Sequence, residues 1–138
     1  MIFIDTNVAI AFRDGEAEAR VAIIDLAEKP VLSVITRIEL ENGVNRDSAG
    51  RDYRRRLLDR MLESFAVQMF TQADILTYGD IVHAIGYDRI RTLDRLIAAQ
   101  AIVRDATLIT RNGKDFRTIG GLRLIEWETP KTEGMGAE

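Results

Sequence analysis

Met1-Ile2-Phe3-Ile4-Asp5-Thr6-Asn7 opens the chain with four apolar residues, one acid and two helix-capping residues. An apolar run this short and uninterrupted suits a strand buried on both faces. Thr6 and Asn7 suit the first turn of a helix running through Phe12. An acid therefore stands at the carboxyl end of a central strand.

The same alternation continues along the chain. Val31-Leu32-Ser33-Val34 reads as a second strand, with a helix over 36–45 behind it. Helical spacing also marks 16–28, which Pro30 closes, and 51–65, which is rich in arginine. Residues 65–70 suit a strand, and 72–87 a helix with Ile75, Gly79, Val82 and Gly86 on one stripe. A strong helix covers 93–104, and strands follow at 107–110 and 123–126. Strands alternating with helices predict a three-layer α/β domain with about five strands in a mainly parallel sheet. Residues 1–128 form this domain, and 129–138 turn to Pro, Lys, Thr, Glu and Gly and read as a flexible tail.

Composition narrows the chemistry. The 138 residues are 46% hydrophobic and 30% charged, as in a water-soluble globular domain. There is no cysteine, which excludes disulfides, thiolate metal sites and cysteine nucleophiles. A single histidine, His83, excludes two-histidine acid–base catalysis and multi-histidine zinc sites. Carboxylates remain as the metal ligands. The net charge of −3 is no footprint of a nucleic-acid binder, yet arginine outnumbers lysine 16 to 3, which favours phosphate recognition or interface pairing. No apolar run approaches the roughly 18 residues of a membrane span. Asp5 also comes too early for the apolar region of a secretory leader, so a cytoplasmic protein is the default.

In open α/β sheets, sites form beyond the carboxyl ends of the strands. Four acids qualify. Asp5 ends the first strand. Glu39 lies beside the apolar stripe of the helix after the second, near Ile35 and Ile38. Asp115 follows the 107–110 strand by five residues. Asp94 opens the helix that feeds that strand, so it faces the same edge. Each alone has an ordinary reading. Asp5 and Asp94 suit helix capping, Glu39 a pair with Arg46 or Arg37, and Asp115 a turn. Together they form a cluster of like charges whose usual resolution is a hard divalent cation, Mg²⁺ or Mn²⁺.

These blocks resemble the PIN-domain ribonucleases, and in length the VapC-type toxins of bacterial toxin–antitoxin pairs. The resemblance rests on Asp5-Thr6-Asn7, on the 33–43 block around Glu39, on the 94–101 block, on 108–116 and on 119–125. It implies a sheet of order 3-2-1-4-5 and a site of Asp5, Glu39, Asp94 and Asp115. Asp5 and Asp94 are then the direct metal ligands, and Thr6, Asn7, Thr110 and Asn112 the supporting polar residues. It implies Mg²⁺- or Mn²⁺-dependent cleavage of RNA, dimerisation, and inhibition by a cognate antitoxin. One stretch departs from the family pattern. Residues 86–93 carry Arg89 and Arg91 where the family often has an apolar, proline-containing lead.

Arg111 and Lys114 flank the expected site and are the candidates for phosphate contact. The arginines of 51–60 suit a solvated face or a partner contact. The side with Leu57, Leu58, Met61, Leu62 and Phe65 suits either core or a groove for a partner helix. His83 has no catalytic partner in its helix. A receiver domain would need a second acid at the first strand, and an aspartyl phosphatase an aspartate at position 7, which is Asn7. No G-x-x-x-x-G-K-[ST] phosphate loop occurs. The remaining rival is an inactive module of the same fold that only binds antitoxin or nucleic acid.

Overall fold

The computed structural model describes residues 1–130, so nearly all of the expected 129–138 tail lies outside the described residues. The elements run β1 (Ile2–Ile4), α1 (Thr6–Arg13), α2 (Ala17–Ile24), β2 (Leu32–Ser33), α3 (Val34–Val44), α4 (Arg51–Leu62), β3 (Val67–Gln68), α5 (Gln72–Ile85), α6 (Thr92–Val103), β4 (Thr107–Thr110) and β5 (Arg123–Glu126). A single 3₁₀ turn, Gly113–Asp115, follows β4.

All strand pairs are parallel. β4 lies between β1 and β5, with Phe3 opposite Leu108 and Leu108 opposite Leu124. β2 pairs with β3. A parallel bridge between Phe3 and Val31 joins the two ladders, with Val31 N–H donating to Ile2 O and Ile4 N–H to Val31 O. The order is thus 3-2-1-4-5, as expected, with short ladders in β2 and β3.

Alternation along the strands sorts the core into two layers. Phe3, Leu108 and Leu124 face one side and pack with Ile97, Ala98 and Ala101 of α6 and Ile81 of α5. Ile4, Ile109 and Leu32 face the other and pack with α1, α3 and α4 through Val8, Leu40 and Leu58. Period-two alternation across a sheet covered on both faces produces this division. Leu58, Met61 and Phe65 are buried, so that side of α4 is core. Phe12 meets Phe65 edge-on, with ring centroids 5.0 Å apart.

α2, α4 and β3 are shorter than the expected 16–28, 51–65 and 65–70, and two further elements differ from the sequence expectation. β2 stops at Ser33 because the Ser33 hydroxyl accepts from Ile35 N–H at 3.0 Å, and α3 begins at once at Val34. α5 turns another face inward. Asp74 and Ile81 are its buried residues, whereas Ile75 is 58% exposed and Leu76 63%. Its rotation follows a buried ion pair. Arg104 Nη1 reaches Asp74 Oδ1 at 2.7 Å, and Thr71 N–H donates to Asp74 Oδ2 at 2.9 Å. Gln100 Nε2 extends the same polar seam to the β3 edge, donating to Gln68 O at 3.0 Å.

Candidate active site

The carboxyl edge of the sheet gathers the acids. Asp5 leaves β1 as the N-cap of α1 and is 5% exposed. Its Oδ1 accepts from Thr6 N–H at 2.8 Å, and its Oδ2 from the Thr110 hydroxyl at 2.8 Å. Burial raises its pKa against those two bonds, and the charges of Glu39 and Asp115 raise it further.

Glu39 sits on α3. Because α3 starts directly at the strand end, its side chain reaches back to α1, and the Thr6 hydroxyl donates to Oε1 at 2.6 Å. Thr36, one turn earlier on α3 and fully buried, places its hydroxyl 3.0 Å from that of Thr6. Thr36 was not singled out in the sequence. The signal was its i,i+3 spacing to Glu39.

Asp94 stands half-buried in the first turn of α6. Its pKa is pushed up to about 7, chiefly by desolvation, then by the charges of Asp5, Asp115 and Glu39. Arg91 acts in the opposite direction. Asp115 lies in the 3₁₀ turn, where Asn112 Nδ2 donates to Oδ2 and Arg91 Nε stands 3.5 Å from Oδ1. Asn112 N–H donates to the Thr110 hydroxyl at 3.0 Å, and Asn7 Oδ1 accepts from Arg111 N–H at 3.4 Å.

All four expected acids and all four supporting polar residues thus meet at one edge. Among the described residues no three His, Asp or Glu side chains are gathered tightly enough to hold a metal ion unaided. Mg²⁺ needs fewer, because it keeps several waters and uses one or two carboxylates plus a substrate phosphate. A set of carboxylate oxygens in which burial and neighbouring like charges raise the pKa of Asp94 fits such a cation.

The two expected phosphate contacts sit differently. Lys114 is exposed at the turn. The Arg111 guanidinium is bound by both carboxylate oxygens of Glu16, and its side chain is only 10% exposed. It lines a cavity of about 810 Å³ with Glu18, Glu126 and Trp127, and none of the four acids borders that cavity. His83 is exposed on α5.

A parallel 3-2-1-4-5 sheet flanked by helices, with an acidic centre at its carboxyl edge, defines a three-layer α/β domain. The PIN domain family model matches residues 2–122, and the chain belongs to that family. It is similar to Ribonuclease VapC1 of Rickettsia felis, at 30% identity over 90% of this chain and 94% of that one. It also resembles Ribonuclease VapC10 of Mycobacterium tuberculosis, at 34% identity over 81% of this chain and 83% of that one. Among solved structures it superposes on VapBC2 from Rickettsia felis bound to a DNA fragment from their promoter. That match has a TM-score of 0.82 and 26% identity, and it covers 93% of this chain and 100% of the other.

Proposed function

We propose that residues 1–128 form a Mg²⁺- or Mn²⁺-dependent endoribonuclease, the toxin of a type II toxin–antitoxin pair, held inactive by its cognate antitoxin. The observation that carries this reading is the gathering of Asp5, Glu39, Asp94 and Asp115 at one sheet edge, held by Thr6, Thr110 and Asn112, where burial first and then the three neighbouring charges raise the pKa of Asp94 to about 7. The ribonuclease and VapBC relatives supply the substrate class and the partner.

In this reading Asp5 and Asp94 hold the ion. The ion, when bound, supplies positive charge to the phosphoryl oxygens and an acidified water. Glu39 and Asp115 orient the attacking water and accept its proton. Thr6 and Thr110 fix the rotamers of Glu39 and Asp5, and Asn112 fixes Asp115. The reading also includes a cytoplasmic location and a homodimer. Among the described residues no helix is long and apolar enough to cross a membrane.

Incubating the protein with RNA in Mn²⁺ is expected to give cleavage that excess EDTA abolishes. Cleavage undiminished by EDTA overturns the metal scheme. Asp94→Asn is expected to keep the fold and lose cleavage, and a variant as active as the wild type removes Asp94 from the ligands. If the chain is instead an inactive module, calorimetry will show no carboxylate-dependent binding of Mn²⁺.

A further inference from the structure

Arg91 stands at the acidic edge, between Asp88 and Asp115. Its placement is built by the loop between α5 and α6. Gly86 ends α5 at φ +86°, a backbone conformation that favours glycine, and its carbonyl accepts from buried Arg95 Nη1 at 2.5 Å. Asp88 then organises the turn. Its Oδ1 accepts from Ile90 N–H at 2.9 Å and Arg91 N–H at 3.2 Å, and its carbonyl from the Thr92 hydroxyl at 2.9 Å. The same Asp88 holds the side chain it has positioned, with Arg91 Nη1 donating to Oδ2 at 2.9 Å.

The guanidinium therefore reaches the acidic edge with one nitrogen anchored and Nε 3.5 Å from Asp115 Oδ1. Among the described residues Nη2 has no hydrogen-bond partner, and the side chain remains 42% exposed. Arg111, by contrast, is consumed by Glu16. We propose that Arg91 is a substrate-binding residue that grips an RNA phosphate next to the carboxylate centre. The proposal rests on the ribonuclease reading above.

The chemistry favours an exchange of partners. A planar guanidinium can keep Asp88 on one edge and offer another to a phosphate oxygen. In the free protein Asp115 draws on its charge. At 3.5 Å that contact is too long for a tight hydrogen bond, so a phosphate oxygen can compete for the guanidinium. The residue thus binds substrate without holding the ion.

Steady-state cleavage of a short single-stranded RNA in saturating Mn²⁺ tests this. Arg91→Gln is expected to raise KM about tenfold, the loss of one charge-assisted hydrogen bond, with kcat changed much less. The slope of log(kcat/KM) against log salt should become shallower by about 0.7, the value for one phosphate contact on a single strand. Arg91→Lys keeps the charge and should recover most of the slope. An unchanged KM and slope in Arg91→Gln, or a fall in kcat alone, overturns the proposal and leaves the ribonuclease reading intact. A wild type that does not cut RNA in Mn²⁺ overturns both.

Discussion

The Thr110 hydroxyl makes two bonds that tie the site together. It donates to Asp5 Oδ2 and accepts from Asn112 N–H, so one buried group sets both a candidate ligand and the loop that carries Asp115. Thr110→Val keeps the shape and removes both bonds. Cleavage or metal affinity is expected to fall by about 10- to 100-fold, the usual cost of losing a group that orients a metal ligand. Activity within twofold of the wild type would show that Asp5 is positioned by other contacts.

Asp94 makes a second prediction, about pH. Its folded pKa of about 7 lies above the unfolded value of 3.8. The unfolded chain therefore loses this proton first as pH rises, and the metal-free folded state is increasingly penalised between pH 4 and pH 7. Asp94→Asn removes the penalty. In EDTA the variant should melt above the wild type at pH 8, and the gap should close toward pH 4. Because Asp94 is half-exposed, screening limits the gap to about a few degrees. Equal melting temperatures at pH 8 would contradict the crowding of charge at this edge.

α5 shows what periodicity misses at the scale of an element. Its apolar stripe through Ile75 is visible in the sequence, yet the helix buries Asp74. The cause lies 30 residues away in Arg104, beyond the reach of any local pattern. Burial raises the Asp74 pKa, but the bonds from Arg104 and Thr71 outweigh it and leave the net value lowered. Arg104→Met strands a buried carboxylate and is expected to cost about 3 kcal/mol in denaturant unfolding. Adding Asp74→Asn should return part of that loss. A single variant as stable as the wild type would mean that α5 is oriented by its apolar contacts alone. α3 is a milder case. Residue type placed Val34 in the strand, whereas the Ser33 cap opens the helix there.

Across the whole molecule, the strands, their parallel sense and the edge bearing Asp5, Glu39, Asp94 and Asp115 were legible, because apolar runs and the direction of helix and strand determine them. The order of the strands came from family resemblance. The bonds from Thr36, the capture of Arg111 by Glu16 and the Asp88 turn were not legible, since each depends on side-chain reach between distant segments. The net charge of −3 was similarly uninformative. It averages an acidic edge with arginines that are mostly tied into ion pairs.

The bond between Thr110 and Asp5 spans 105 positions of the chain. Contacts of such separation form late, after the intervening segments have been made and folded. A ribosome must therefore finish β4 and the turn behind it before the carboxylates can assemble.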